Sequence, residues 1–257
     1  MLNEVKVPFY INKNMEYLGT DNPNSNHIKE VFNNDLTQYF NHPYKISYNF
    51  NSRGFRDTEW PVDLNNRIWC VGDSAALGAG VPVEYRYSSL LPNSINVSRI
   101  LADNDWIYNN AVSILKETNP KLVVIQWSFY HRNNLNGKDQ FSVEQKDSTK
   151  QAMLSLLGNY IKNKFTDREK FDCDYLFHLT QKIESVKKDS NVIHVLTPKM
   201  HVGFDFLNRV KDSVKYSITA DWIDDARDIT FHYGVQSHNN IADKIKTLCH
   251  EQNINIW

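Results

Sequence analysis

The chain has 257 residues, of which 41% are hydrophobic and 23% charged, the composition of a globular protein able to bury a core without disulfide or metal staples. Lys and Arg number 29 against 30 Asp and Glu, a formal net charge of -1, so bulk electrostatics argue against nucleic acid or an anionic membrane as partner. The longest clean apolar run, Leu122-Val123-Val124-Ile125, falls far short of the roughly 20 residues of a spanning helix.

The first residues, Met1-Leu2-Asn3-Glu4-Val5-Lys6, lack the apolar core of a secretory signal, and with three scattered cysteines (Cys70, Cys173, Cys249) the expected setting is reduced and cytoplasmic. Residues 1–60, rich in Asn, Tyr and Phe and weakly periodic, are expected to form an N-terminal extension packed on a main domain of residues 61–257. Within the extension, the alternation of Tyr44-Lys45-Ile46-Ser47-Tyr48-Asn49-Phe50-Asn51 suits a strand, and Asn51-Ser52-Arg53-Gly54 supplies turn chemistry. Beyond Arg67, strands alternate with helices. Strands are expected at Ile68–Val71, Ser94–Val97, Leu122–Trp127, Val192–Leu196 and Val214–Ile218. Helical stripes run through Trp106–Leu115, Met153–Ile161, Tyr175–Val186 and Ile241–Leu248, and the polar stretch Asn133–Asp147 reads as a surface loop or lid. This alternation predicts an α/β sandwich with a mostly parallel five-stranded sheet.

In such a sheet the carboxyl ends of the strands face the binding crevice. The first main strand runs straight into Gly72-Asp73-Ser74, followed by the small residues Ala75-Ala76-Leu77-Gly78-Ala79-Gly80, so Ser74 falls where a ligand would bind. The bland alternative makes Gly-Asp-Ser an ordinary turn leading into a helix. A serine nucleophile needs a base, because its hydroxyl is scarcely ionised at neutral pH. Asp228-Ile229-Thr230-Phe231-His232-Tyr233-Gly234, ahead of a final helix beginning near Ser237, offers His232; His238 reads as a helix-start residue without a role. The acidic string Asp221, Asp224, Asp225 and Asp228 lacks the pattern of a calcium loop and reads as solvated surface. No phosphate-binding or dinucleotide glycine pattern occurs, so neither cofactor nor metal is expected.

An early Gly-Asp-Ser after the first strand, with a His-Tyr-Gly loop before the last helix, resembles the SGNH (GDSL-type) hydrolase family. Gly72-Asp73-Ser74 through Pro82 looks like that family's first block, Asn96–Asp105 like its second, and the segment with His232, Gly234 and His238 like its last; Asn51–Asp57 resembles a lead-in seen in some members. The resemblance implies a flavodoxin-like three-layer fold and ester hydrolysis through an acyl-serine, with small acyl esters such as O-acetylated carbohydrate as substrates. It implies Ser74 as nucleophile, His232 as base, and the Ser74 N–H as an oxyanion donor. The departures matter. The usual acid three residues before the histidine is Ile229 here, leaving Asp228 to orient the ring unless a backbone carbonyl does so. The second block's glycine is replaced by Leu101, whose N–H remains a donor, and the third block's asparagine is not visible. Trp127-Ser128-Phe129-Tyr130-His131-Arg132 stands in its place and offers Ser128, Tyr130, His131 or Arg132 as an oxyanion donor, Tyr130 first; Arg132 and Asp73 are substrate-binding candidates, and the bland alternative has Trp127 and Phe129 packing the top of the core. The alternative is a catalytically impaired module that binds glycan without turnover; transfer of an acyl or sulfo group is a third reading. Oligomeric state leaves no mark on the sequence.

Overall fold

The structure is a computed structural model of the chain and describes residues 2–42, 44–132, 167–198, 205–223, 226–227 and 232–257. The expected helix over Met153–Ile161 and the loop over Asn133–Asp147 lie outside the described residues.

The first 60 residues hold little regular structure: β1 (Asn14–Met15), α1 (Asn26–Val31), α2 (Thr37–Phe40) and β2 (Tyr48–Asn49), with β1 and β2 paired antiparallel. The strand expected over residues 44–51 narrows to β2, although the Phe50 N–H and the Asn51 carbonyl still bond to Lys13 and Asn12 just ahead of β1; two other groups at its flanks are drawn away. The Ser47 carbonyl accepts from the Arg56 guanidinium, and the Asn51 N–H closes a turn on the Phe55 carbonyl. Leu2, Val5, Val7, Tyr10, Leu18, Ile46, Tyr48, Phe50 and Phe55 from this stretch are buried in one cluster with Trp69 and Val71 of the sheet.

The main sheet comprises β3 (Ile68–Gly72), which is followed by α3 (Ser74–Leu77), then β4 (Ser94–Ser98), α4 (Asn104–Glu117), β5 (Leu122–Gln126), α5 (Asp167–Val186), β6 (Val192–Leu196), α6 (Phe206–Ser213), β7 (Ser217–Thr219) and α7 (Val235–Glu251). Its five strands are parallel throughout, in the order β4-β3-β5-β6-β7. Side chains alternate between two buried layers, as the period of two in a strand requires. Trp69, Val71, Val123, Ile125 and Val192 meet α4 and α5 on one face, whereas Ile68, Cys70, Val124, Ile193 and Val195 meet α3 and α7 on the other. A sheet covered on both faces explains why Leu122–Ile125 reads as an unbroken apolar run.

The last strand is shorter and later than the sequence indicates. Val214 ends α6, its N–H bonded to the Val210 carbonyl, so pairing starts only at Ser217. Helix α6 escapes the periodicity because only Phe206 and Val210 are buried on it.

The strand order reverses between β3 and β5: the chain goes from β3 outward to β4 and then returns to β5 on the other side. Ligands in doubly wound sheets bind at such a switch point, at the carboxyl ends of the strands. Ser74 follows directly from the end of β3.

Candidate active site

Two features form the turn at the end of β3. Gly72 lets strand and helix approach closely, since a Cβ there would lie 2.5 Å from that of Ala76. Asp73 then caps α3, with extended backbone and its carboxylate accepting the Ala75 N–H at 2.9 Å. Ser74 is the first residue of the helix. After one turn the helix stops at Gly78, in the left-handed region at φ 79°, where a Cβ would come within 3.3 Å of Arg56 Nη1 and Arg86 Cγ.

His232 arrives from the opposite end of the sequence, just ahead of α7. Its neighbour Tyr233 is buried, with its hydroxyl bonded to that of Thr197 beyond β6 and Trp222 edge-on to its ring. The Gly234 N–H donates to the Ile223 carbonyl at 3.0 Å, and Ser237 Oγ accepts the Ile223 N–H at 2.6 Å. With the start of α7 so anchored, His232 Nε2 lies 2.8 Å from Ser74 Oγ across 158 residues of sequence. Relative exposures of 6% for Ser74 and 7% for His232 leave the pair shielded from bulk water yet not sealed.

His238 is placed differently. It lies one turn into α7, fully buried, with Nδ1 accepting the Tyr87 N–H at 3.2 Å and its ring stacked on Tyr87. Burial, reinforced by the charges of Arg86 and Arg56, pushes its pKa down to about 3, so the ring is neutral at ordinary pH.

Asp73 and Arg132 are drawn together beside the serine. The Asp73 carboxylate is buried and accepts from Ser128 Oγ at 2.6 Å, Gln126 Nε2 at 3.3 Å and Arg132 Nη1 at 3.3 Å. Arg132 also donates to Ser128 Oγ at 3.2 Å. This network joins the turn that carries Ser74 to the loop after β5, which also contains the buried Tyr130.

Leu101 lies in the loop after β4. Ser98 pairs with Gly72, and the Arg99 N–H donates to the Gly72 carbonyl at 3.3 Å, so this loop leaves the sheet alongside the serine turn. Leu101 has φ 58°, a left-handed conformation rare for a bulky residue. The position thus has the backbone geometry of a glycine while carrying a leucine.

Asn104, which lies in the stretch Asn96–Asp105 but for which the sequence predicts no role, organises the far wall. The Asn104 side chain accepts the Ser128 N–H at 3.0 Å and donates to the Phe129 carbonyl at 2.9 Å, and the Asn104 N–H donates to the Arg132 carbonyl at 2.8 Å. It sits one position after the Asp103 cap of α4. Asp224, Asp225, Asp228 and Ile229 lie outside the described residues. Among the described residues no cluster of His, Cys, Asp or Glu could hold a metal ion, and no helix is long and apolar enough to cross a membrane.

Neither a family model nor a curated protein sequence matches the chain. Among solved structures it is similar to an acetyl xylan esterase, Est2A, from the rumen bacterium Butyrivibrio proteoclasticus, at 11% identity and a TM-score of 0.46 over 76% of this chain. The chain spans 65% of that esterase's length, less than two thirds. A carbohydrate esterase whose active site is described as having divergent catalytic and non-catalytic binding functions matches at 11% identity and TM-score 0.45, over 75% of this chain and 67% of its own. TesA matches at 13% identity and TM-score 0.42, over 71% of this chain and 97% of its own.

Proposed function

We propose that the protein is an SGNH-type serine ester hydrolase, with Ser74 as nucleophile and His232 as general base. The observation that carries this reading is the 2.8 Å contact between Ser74 Oγ and His232 Nε2, made by two shielded side chains at the switch point of the sheet. In the productive tautomer, Nε2 of His232 accepts the serine proton and Nδ1 carries the other. As Oγ attacks the ester carbonyl carbon, its proton passes to His232. The resulting oxyanion takes hydrogen bonds from the Ser74 N–H and the Leu101 N–H, with Tyr130 as a third donor. Collapse of the tetrahedral intermediate expels the alcohol, protonated by His232, and leaves an acyl-Ser74. Water, deprotonated by the same imidazole, then releases the acid.

Asp228 is assigned the task of holding the Nδ1–H of His232. Asp73 and Arg132 are assigned to the wall of the substrate cleft, where their ion pair also braces the serine turn. Small acyl esters are the proposed substrates, O-acetylated carbohydrate first among them; residues 1–60 are proposed as an extension on a catalytic domain of residues 61–257. The test is a panel of acetylated sugars and nitrophenyl esters with wild type and Ser74→Ala side by side. Acid release by wild type and none by the variant supports the hydrolase. Tight binding of sugar without turnover by either would point instead to a binding module.

A further inference from the structure

We infer that Arg56 and Tyr48, from the N-terminal 60 residues, are positioning residues that hold both halves of the proposed catalytic pair in register. The inference rests on the esterase reading and identifies what fixes the geometry of that site.

The Asn51–Gly54 turn is tightly built: Asn51 Oδ1 accepts the N–H groups of Arg53 and Phe55 at 3.0 Å each, and Phe55 is fully buried. The next residue, Arg56, enters the core. Its guanidinium donates to the carbonyls of Ser47 and Val81 at 2.9 Å, of Leu77 at 3.4 Å, and of Gly78. Three of those four carbonyls belong to residues 77–81, the segment that ends the helix beginning with Ser74. The carbonyls of Leu77 and Gly78 stand at the C-terminal end of that helix, where no intrahelical donor remains. Tyr48 holds the same segment from another side: its hydroxyl accepts the Gly80 N–H at 2.9 Å and donates to Asp21 at 2.6 Å, and its ring lies under the Arg56 guanidinium at 4.2 Å.

The hold extends to the histidine side. The Gly80 carbonyl accepts the N–H of Arg227 at 2.8 Å, five residues ahead of His232, and the Arg227 guanidinium lies over the rings of Tyr17 and Tyr39. The N-terminal stretch therefore touches the segment after Ser74 and the segment before His232 at adjoining points.

A purely structural origin does not account for the choice of residue. Arg56 is buried and, among the described residues, forms no ion pair; backbone carbonyls and an aromatic face are its partners. An apolar side chain of similar length would fill the space without desolvating a charge. What the planar, five-donor guanidinium adds is direction, fixing several carbonyls at once.

The experiment compares wild type, Arg56→Met and Tyr48→Phe, each first checked for a cooperative thermal transition. The readouts are kcat and KM on whichever ester wild type hydrolyses, the rate of Ser74 labelling by a fluorophosphonate, and amide hydrogen exchange over residues 74–81. Because a misplacement of about 1 Å can cost about a hundredfold in rate, Arg56→Met is expected to lower kcat and the labelling rate together by about thirtyfold. KM should stay within about threefold, and the 77–81 amides should exchange at least tenfold faster. Tyr48→Phe, which keeps the ring and loses both the acceptor for Gly80 and the donor to Asp21, should show the same pattern at about three- to tenfold. Folded variants with kcat and exchange within twofold of wild type overturn the inference, and if Arg56→Met does not fold, Tyr48→Phe decides alone. A wild type that fluorophosphonate does not label overturns the esterase reading instead, and exchange over 77–81 then decides the hold by itself.

Discussion

Two side chains carry the proposed chemistry, and their roles separate by substitution. Ser74→Ala removes the nucleophile and His232→Ala the base; each is expected to lower kcat by about four to six orders of magnitude without lowering the melting temperature by more than about a few degrees. Asp228→Asn tests the third role. If the carboxylate orients His232, kcat falls by about 10³-fold or more; a silent Asp228→Asn beside an inactive His232→Ala would transfer that role to a backbone carbonyl. Leu101 is strained rather than reactive. A left-handed conformation costs a side-chain-bearing residue about 1–2 kcal/mol, and β-branching worsens it. Leu101→Gly should therefore denature in urea at a concentration equal to or above that for Leu101→Val, although valine retains far more apolar volume. The reverse order would show that burial of the leucine side chain outweighs backbone strain.

At the scale of elements, the site depends on loops that side chains tie to helix ends. Asn104 satisfies the Ser128 N–H and the Phe129 carbonyl from the first turn of α4. Asn104→Ala takes that partner from the buried Ser128 N–H, whereas the Phe129 carbonyl keeps the Arg132 N–H at 2.9 Å, and it is expected to destabilise by about 1–3 kcal/mol. Asn104→Asp can still accept from Ser128 but cannot donate to Phe129, so its urea midpoint should fall in between. A midpoint for Asn104→Ala equal to that of wild type would mean that the loop holds itself.

These ties mark the boundary of what the sequence makes legible. Ile68–Val71, Leu122–Ile125 and Val192–Leu196 are β-rich, bounded runs, and each is a strand because burial on both faces imposes an apolar signature. Ser74 and His232 stand out only as a pair, through the resemblance of their two segments to the first and last blocks of one family; each alone reads as a turn residue or a structural histidine. Arg56, Tyr48 and Asn104 act through backbone groups distant in sequence, and a side chain that bonds to carbonyls or amides leaves no periodicity and constrains no neighbouring residue type. The same holds for Ser217–Thr219, whose start is set by where α6 ends rather than by its own composition.

Across the whole molecule, buried histidines set the response to acid. His238 is held down to about 3 by burial and by Arg86, and His131 to about 4 by burial and Arg132. His194 is lowered by burial; it accepts the Trp127 indole N–H at 3.0 Å and faces Glu184 at 3.2 Å. Burial opposes ionisation of Glu184, yet hydrogen bonds from His194 and Lys187 bring it to about 2. His238 and His131 therefore stay neutral in the folded chain while the unfolded chain takes up protons below about pH 6.5, the ordinary histidine value. The unfolded state binds more protons, so stability is full above that value and falls as pH drops through the window from about 6.5 to 3. Each lagging histidine contributes a slope of about 1.4 kcal/mol per pH unit. Urea midpoints should decline steadily from pH 7 to pH 5, and a flat profile over that range would place these rings in contact with water.

The claim on which the whole account turns is that Ser74 is a nucleophile activated by His232. Reaction of the folded chain with a fluorophosphonate, followed by intact mass and peptide mapping, reads this directly. A single adduct on Ser74 is predicted for wild type, none for Ser74→Ala, and labelling slowed by about a hundredfold or more for His232→Ala. A folded wild type that takes no adduct, or a Ser74→Ala chain labelled at the wild-type rate, would contradict it.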